Sequence, residues 1–264
     1  MAGNIHPTAV VDPAAKIDPS AVIGPFAMVG PDVTIGAGTE IGPYCMVDGV
    51  TTIGRDNRFY RYCSIGGMPQ DKKYAGEKTR LTIGDRKTVR EFVTLNTGTV
   101  QDGGETTLGS DNWIMAYVHV AHDCHIGSHT ILANSVQLGG HVRMGDWAIV
   151  GGLTGVHQFC HIGEHAMIGG NSSVMQDVPP FVLSAGNPCA PSGINSEGLK
   201  RRGFTPDDIS ALKMAYKLIY RRGMLLPEAR EAIKALQTER PSASAPLQTM
   251  IDFTESVTRG LIRP

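Results

Sequence analysis

The sequence predicts a mainly β protein, in which a parallel β-solenoid is followed by a shorter helical region. Three observations predict it. An apolar residue recurs at every sixth position over long stretches, glycine is abundant (32 of 264 residues) while aromatic residues make up only 6%, and helical patterns begin where the repeat ends. A period of six fits neither an amphipathic helix nor an alternating strand, but it fits a short strand plus a turn. Three such units would close one triangular coil, and stacked coils would bury a core too narrow for many aromatic rings.

The six-residue repeat is interrupted twice. Its three stretches run over residues 5–65, 83–95 and 108–174. The residues between them, 68–82 and 97–107, are predicted to be loop excursions from the solenoid, and such loops often carry function. The alternative is that each loop is a tolerated insertion without a functional role. For the glycine-rich second loop, this alternative and a functional role have equal weight. With the connection that follows the last repeat, the first domain is predicted to cover residues 1–189.

The remaining residues, 190–264, are predicted to form a C-terminal helical domain. The prolines and the glycine in QDVPPFVLSAGNP, just after the last repeat, indicate the boundary. Three helices are expected. The first opens at Thr205–Asp208, a strong N-terminal signal, the second begins near Pro227 and the third near Pro246.

Composition excludes several classes of protein. With 41% apolar residues, 19% charged residues and a net charge of -1, the chain is typical of a soluble globular protein. It has no excess of positive charge that would indicate nucleic-acid binding. The first ten residues, MAGNIHPTAV, show no signal-peptide pattern, and no apolar run is long enough to span a membrane. The five cysteines form no C-x-x-C pair, which favours free thiols in a reducing, cytoplasmic compartment.

Charge is distributed unevenly along the chain. Residues 190–264 hold twelve Lys and Arg against eight Asp and Glu, so the C-terminal region is basic. A basic helix face is often only solvated, but it can also dock an acidic partner, and a small acidic protein is the partner expected here. The candidate docking residues are Arg201, Arg202, Lys213, Lys217, Arg221 and Arg222.

Histidines provide the strongest signal of a functional site. Seven of the nine lie between residues 119 and 161. Because equivalent residues of neighbouring coils stack about 4.8 Å apart, His122 should lie over Gly140, and Asp123 over His141. An imidazole can remove a proton from a hydroxyl, a carboxylate can orient that imidazole, and a glycine amide can stabilise an oxyanion. Together these groups would suit acyl transfer from an activated thioester.

Seven strings carry a resemblance to a known family. They are QDKKYAGE (70–77), HVAHDC (119–124), GGHV (139–142), GVHQFC (155–160), QDVPPFV (176–182), NSEGLKRRGF (195–204) and AYKLIYR (215–221). The chain resembles the hexapeptide-repeat acyltransferases, whose fold is a left-handed parallel β-helix. Within them it is similar, nearly end to end, to the UDP-N-acetylglucosamine O-acyltransferases of lipid A biosynthesis. The related N-acyltransferases carry an extra N-terminal domain, for which a repeat beginning at Ile5 leaves no room.

The resemblance implies a catalytic group and its surroundings. His122 would be the general base, Asp123 would orient it, and the amide of Gly140 would face the thioester carbonyl. Gly170 would stand at the acyl-chain ruler, where glycine favours a longer 3-hydroxyacyl group. The substrate-binding residues would be Gln70, Asp71, Lys73, His119, His141, His157, Gln158, Asn195, Glu197 and Arg201, of which the last three would hold the nucleotide.

The resemblance also implies the partners of the chain. The family forms homotrimers with active sites between parallel prisms, and it takes its 3-hydroxyacyl group from acyl carrier protein, in the cytoplasm of Gram-negative bacteria. It acylates UDP-N-acetylglucosamine without a covalent intermediate, and no cofactor is expected beyond the carrier-protein thioester.

Two other functions stay open at this point. Three imidazoles at subunit boundaries could hold zinc, as in the γ-class carbonic anhydrases of similar fold, which would make the chain a zinc-dependent lyase. The run at His119, His122 and His125 does not favour this, because its outer members share a repeat position that His122 does not, and no metal ligand is assigned. A purely structural solenoid is the second alternative. The roles of His125, His129, His161 and His165 are left unassigned, with surface or turn positions expected.

Overall fold

The repeat builds a triangular prism of three sheets, which are parallel except for the antiparallel pair of the last two strands, Val182–Ala185 and Ala190–Ile194. A computed structural model describes residues 4–264; residues 1–3, with which the predicted first domain begins, lie outside the described residues. The sheets are numbered here as face 1, face 2 and face 3, in the order in which the chain visits them. They contain nine, eight and ten strands, respectively.

The strands are mostly two residues long, as a repeat of six residues requires. Face 1 comprises Val10–Val11, Met28–Val29, Met46–Val47, Ser64–Gly67, Thr94–Asn96, His119–Val120, Gln137–Leu138, Gly155–Val156 and Ser173–Val174. Face 2 comprises Lys16–Ile17, Thr34–Ile35, Val50–Ile53, Arg80–Ile83, Glu105–Leu108, His125–Ile126, Arg143–Met144 and His161–Ile162. Face 3 comprises Val22–Ile23, Glu40–Ile41, Arg58–Phe59, Thr88–Val89, Trp113–Ile114, Ile131–Leu132, Ile149–Val150, Met167–Ile168, Val182–Ala185 and Ala190–Ile194.

Strand register follows the predicted stacking of coils. Val120 pairs with Leu138, and Leu138 pairs with Val156, so residues one coil apart lie side by side. These inward-facing side chains are at most 4% exposed. Burial of such aliphatic rows is the main term that stabilises the prism. The two excursions are shorter than predicted, 68–79 and 97–104, because four-residue strands begin at Arg80 and Glu105.

The turns between faces share one backbone feature. At most turns, the third residue after the inward-facing residue adopts a left-handed conformation, with φ of 58° at Asp123, 63° at His141 and 65° at Phe159. This conformation costs a non-glycine residue about 1–2 kcal/mol, and a hydrogen bond to the neighbouring coil holds it, as from the His141 N–H to the His122 carbonyl (3.0 Å). Side chains at this position therefore stack along each edge. The edges are called 1–2, 2–3 and 3–1 after the faces that they join.

The C-terminal region packs four helices beside the last coils. They are α1 (Ser196–Arg201), α2 (Pro206–Tyr220), α3 (Leu226–Glu239) and α4 (Ser244–Glu255). The three expected helices are α2, α3 and α4, and α2 begins with a capping box between Thr205 and Asp208. The expectation of only three was wrong, because α1 has six residues and is too short to show a helical period. Strand pairing on face 3 continues to Ile194, so the domain boundary at residue 189 stays a prediction.

Two further features of the sequence can be followed in the structure. All five cysteines are buried and free. Within residues 4–264, the structure contains no helix with the length and apolarity needed to cross a membrane.

Candidate active site

A histidine and an aspartate pair at edge 1–2. His122 follows the inward-facing Val120 by two residues, and its Nδ1 lies 2.8 Å from Oδ2 of Asp123. The residue is 9% exposed. Because the carboxylate occupies Nδ1, the proton is assigned to that nitrogen and Nε2 keeps a free lone pair. His122 therefore has the arrangement of a general base that acts through Nε2.

Asp123 is completely buried, and its charge is compensated by hydrogen bonds. Thr99 donates its backbone N–H to Oδ1 (2.7 Å) and its hydroxyl to Oδ2 (2.6 Å). Burial raises the pKa of Asp123, but the hydrogen bonds from His122 and Thr99 outweigh burial and leave the pKa below its usual value. The carboxylate is thus ionised at neutral pH, as the orienting partner of an imidazole must be.

Gly140 lies on the next coil, directly against the His122 ring. A Cβ atom at position 140 would come within 2.6 Å of the His122 Cε1 atom, so only glycine fits beside this imidazole. Within residues 4–264 the Gly140 N–H donates no hydrogen bond. In the N-terminal coils the same repeat position is proline, for example Pro25 and Pro43, so the fold does not need this amide. The predicted stacking of His122 over Gly140 is confirmed.

A second imidazole completes the cluster. His141 lies edge-on to His122 (ring centroids 5.1 Å apart), stacks on Phe159 (4.2 Å), and its Nδ1 is 2.8 Å from Oδ2 of Asp102. Asp102 and Thr99 both belong to the second excursion, which therefore supplies two partners of the cluster and is not merely a tolerated insertion. Sequence reasoning missed both residues, because only the break in the repeat pointed to this loop.

Two grooves flank edge 1–2. Groove 1, on face 1, measures about 600 Å³, and its lining contains no Lys, Arg, Asp or Glu. Groove 2, on face 2, measures about 730 Å³ and is lined with charged residues. The first excursion reaches both grooves. Of the predicted substrate-binding residues, groove 1 contains Gln70, His119, His157 and Gln158, and groove 2 contains Asp71, Lys73 and His141.

The histidine run that could have suggested zinc does not converge. His119 Nδ1 bonds the Thr94 hydroxyl on face 1 (2.7 Å), and His125 Nδ1 bonds the Thr107 hydroxyl on face 2 (2.9 Å). Burial, followed by the charge of His122, lowers the pKa of His119, so this ring is neutral at pH 7.

A metal ion would need a different set of ligands. Within residues 4–264, one cluster brings three ligand atoms within 4.8 Å of one another, namely His122, Asp123 and His141. Both imidazole Nδ1 atoms there already face carboxylates, and Asp123 also accepts two hydrogen bonds from Thr99. The donor set therefore fits a hydrogen-bonded acid–base pair better than a metal site, which needs free lone pairs directed at the ion.

The predicted nucleotide contacts lie elsewhere in the same chain. Asn195 caps α1 and donates its side-chain amide to the carbonyl of His165 (3.0 Å), which is a residue of edge 2–3. Glu197 and Arg201 follow on α1 and are exposed. One chain therefore does not bring these three residues together with His122, which lies on a different edge.

The remaining predicted residues lie on two other surfaces. Gly170 is exposed at edge 3–1, across face 1 from His122. Lys213 and Lys217 are exposed on α2 beside a cavity of about 500 Å³ with apolar residues in its wall. Arg221 and Arg222 follow the helix and are exposed, whereas the Arg202 guanidinium lies 5.2 Å from the Trp147 ring centroid.

Comparisons with known proteins agree with this architecture. Residues 14–49 and 105–140 match the family profile described as bacterial transferase hexapeptide (six repeats), and residues 177–262 match domain 2 of UDP N-acetylglucosamine O-acyltransferase. A curated acyl-(acyl-carrier-protein)–UDP-N-acetylglucosamine O-acyltransferase from Janthinobacterium sp. (strain Marseille) is 58% identical over 98% of this chain and 99% of its own length. A protein of that name from Burkholderia mallei (strain SAVP1) is 56% identical over 75% and 76%.

Solved structures match over almost the whole chain. The UDP-N-acetylglucosamine acyltransferase of Francisella novicida has a TM-score of 0.95 at 42% identity and covers 98% of this chain and 94% of its own. The O-acyltransferase of Moraxella catarrhalis has a TM-score of 0.94 at 43% identity, with coverage of 98% and 100%.

The hexapeptide repeats and these structural matches define the chain as a left-handed parallel β-helix transferase with a C-terminal helical region, as the resemblance implied. Within that class, the sequence identity of the relatives and the share of the chain that they cover determine the family. The chain belongs to the UDP-N-acetylglucosamine O-acyltransferase family.

Proposed function

We propose that the chain transfers a 3-hydroxyacyl group from acyl carrier protein to the 3-hydroxyl of UDP-N-acetylglucosamine, in lipid A biosynthesis. Membership of the family supports the reaction. One observation supports the mechanism: the His122–Asp123 pair lies against Gly140, whose N–H donates no hydrogen bond within residues 4–264. A base and an oxyanion donor would then lie side by side on one edge of the prism.

The chemistry then follows from the free atoms at this edge. His122 Nε2 takes the proton of the sugar 3-hydroxyl while the oxygen of that hydroxyl attacks the thioester carbonyl carbon. The Gly140 N–H donates to the oxyanion that develops on the carbonyl oxygen. The tetrahedral intermediate expels the carrier thiolate, which takes the proton back from His122. Asp123 keeps its charge throughout and stabilises the imidazolium. Because the sugar hydroxyl attacks the activated thioester directly, neither a covalent enzyme intermediate nor a cofactor is required.

We assign the two grooves to different parts of the substrates. The uncharged groove 1 suits the acyl chain, which would run across face 1 from His122 toward Gly170 at edge 3–1. Gln70, His119, His157 and Gln158 would contact the chain and its carbonyl end from the wall of this groove. Asp71, Lys73 and His141, in groove 2, would contact the sugar and its phosphate.

The experiment that tests the reaction uses the intact protein with UDP-N-acetylglucosamine and a series of 3-hydroxyacyl carrier proteins, with and without a chelator. Mass spectrometry of the nucleotide sugar should show the gain of one hydroxyacyl group, unaffected by the chelator, and a preference for longer chains. Failure to acylate the sugar with any donor would contradict the proposal. Loss of activity with the chelator would indicate instead that His122 and His141 bind a metal ion.

We further propose that the functional unit is a homotrimer in the cytoplasm. The support is the separation of the nucleotide residues, beside edge 2–3, from the base at edge 1–2, because a neighbouring prism could bring Asn195, Glu197 and Arg201 to His122. Co-expression of His122→Ala and Arg201→Ala chains tests this. Each variant alone should have little activity, whereas each mixed trimer should recover about one of its three sites, or about a quarter of all sites after random assembly of the two chains in equal amounts. No recovery in demonstrably mixed trimers would contradict a shared site.

The donor is proposed to dock on the basic C-terminal region. Lys213 and Lys217 on α2, with Arg201, Arg202, Arg221 and Arg222 around its ends, suit the acidic surface of a carrier protein. The double substitution of Lys213→Glu and Lys217→Glu should raise the KM for the carrier-bound donor, because reversed charges repel the partner. An acyl-phosphopantetheine donor without its protein is the matched control, and its KM should stay unchanged. Equal effects on both donors would remove this assignment.

A further inference from the structure

Groove 2 contains three cationic side chains, and the proposed function gives a role to only one of them, Lys73. Its wall combines five parts of the chain: the two excursions, edge 1–2, face 2 and the C-terminal tail after α4. The lining residues include Lys73, Arg143, His161, Thr258 and Arg259. Lys73, Arg143 and Arg259 are exposed, and within residues 4–264 none of their side chains forms an ion pair or a hydrogen bond.

The carboxylates of groove 2 are already engaged. Asp71 accepts a hydrogen bond from the Lys73 backbone N–H (2.9 Å), and Asp102 faces His141 Nδ1 (2.8 Å). Three cations from distant parts of the sequence therefore share a groove with two carboxylates, and within residues 4–264 none of the three is paired with a carboxylate. Groove 1, on the other side of the same edge, has no cation in its lining apart from imidazoles. The two grooves thus differ most in their complementarity to an anion.

A buried carboxylate fixes the tail that carries Arg259. Asp177 is completely buried and accepts hydrogen bonds from the backbone N–H groups of His161 (2.8 Å), Thr258 (2.9 Å) and Arg259 (3.2 Å). Its own N–H donates to the Gly260 carbonyl (2.8 Å), and Ile262 N–H donates to the Asp177 carbonyl (3.0 Å). Such a set of bonds holds a chain terminus that would otherwise fray.

We propose that the C-terminal tail is part of the substrate site: Asp177 positions Arg259 so that Arg259, Arg143 and Lys73 together bind a phosphate group of a substrate. The inference rests on the proposed function and extends it to residues 143, 177 and 259. Guanidinium groups bind phosphate oxygens through paired, charge-assisted hydrogen bonds, which suits two converging arginines.

The nucleotide sugar is the phosphate source that the geometry favours. His141 lines groove 2 and touches the ring of His122, so a sugar whose 3-hydroxyl meets His122 lies beside this groove. The diphosphate is attached to the anomeric carbon of the same ring and would extend toward the cations. The phosphopantetheine arm of the donor carries the same chemical group, and the experiment separates the two sources.

The test compares Arg259→Gln with Arg263→Gln. Both changes remove one arginine charge from the same tail, but Arg263 does not line groove 2. Calorimetric titration with UDP, without donor, should show an about tenfold weaker Kd for Arg259→Gln, the usual effect of one lost charge-assisted contact. Arg263→Gln should bind UDP within about twofold of the wild type. Because this titration needs no acyl transfer, its result does not depend on whether the reaction proceeds.

Steady-state kinetics identify the source of the phosphate. A raised KM for UDP-N-acetylglucosamine with an unchanged KM for the donor supports the nucleotide, and the reverse supports the phosphopantetheine arm. If Arg259→Gln changes neither UDP affinity nor either KM beyond the change in Arg263→Gln, the subsite does not exist.

Asp177→Asn tests the positioning role separately. This variant should raise the same KM as Arg259→Gln while kcat stays near the wild-type value, since Asp177 does not line either groove. Circular dichroism shows whether the variant is folded. A folded Asp177→Asn protein with wild-type KM values would overturn the role given to Asp177.

Discussion

Edges 1–2 and 2–3 of the prism both present imidazoles at the same kind of turn, in very different surroundings. At edge 1–2, the rings of His122 and His141 face carboxylates. At edge 2–3, His129 and His165 stack on Trp147, with centroid distances of 4.0 and 6.2 Å. One repeat and one backbone geometry therefore produce both the edge with the proposed general base, called the reactive edge here, and a packed edge.

Electrostatics separates the two edges. Burial, together with the charge of Arg202, lowers the pKa of His165 to about 4, so this ring stays neutral and contributes mainly packing. His165 lies in a turn, one of the two expected positions, but it is only 9% exposed and therefore belongs to the packing of this edge. The number of histidines at an edge therefore does not distinguish a candidate catalytic edge from a packed one. The site proposed above is distinguished by a carboxylate partner and by a neighbouring amide that donates no hydrogen bond within residues 4–264.

The largest expected effect is at the reactive edge. His122→Ala should lower kcat by about 10² to 10⁴, the usual contribution of a general base. Initial rates with saturating substrates measure it. His129→Ala is the matched control, because it removes a half-exposed imidazole from the packed edge, and its kcat should stay near the wild-type value. Equal losses in the two variants would erase the distinction between the edges.

The next effect sharpens the role of the glycine. Gly140→Ala should lower kcat by about 10²-fold, because the added methyl group must displace the His122 ring and a shift of this size misaligns the base. Gly67→Ala is the control, since a methyl group there meets its nearest atoms at 3.5 Å. Both variants should still bind UDP in calorimetry. A Gly140→Ala enzyme with normal kcat would show that the close fit between the two coils is not needed.

The sequence predicted most of the architecture and only part of the site. The six-residue period specifies the coil, and coil stacking alone joins His122 to Gly140, because a solenoid converts sequence spacing into distance. The partners Thr99 and Asp102 could not be predicted, since an excursion outside the repeat has no such rule. Arg259 was missed for the same reason, as its position depends on hydrogen bonds to Asp177, far away in sequence.

A smaller effect is expected on stability at the packed edge. His165 has a folded-state pKa of about 4, below its usual value of 6.5, so the unfolded chain binds more protons between these values. The stability of the wild type should therefore fall as pH decreases through this window, by about 2 kcal/mol between pH 7 and pH 5 from this residue.

The uncharged replacements His165→Phe and His165→Gln should both remove this part of the pH dependence, whatever their stability at pH 7. Urea unfolding at the two pH values measures it. An unchanged slope in both variants would mean that protonation of His165 does not oppose folding.

The smallest effect distinguishes two neighbouring arginines. Arg202 lies against Trp147 and its Nη1 is 3.4 Å from His165 Nδ1, so it belongs to the packed edge, whereas Arg201 is exposed. Arg202→Leu should lower the free energy of unfolding by about 1 kcal/mol through loss of the cation–π contact, and Arg201→Leu should leave it unchanged. Urea unfolding at pH 7 compares them. A stability loss in Arg201→Leu but not in Arg202→Leu would contradict the packing role given to Arg202.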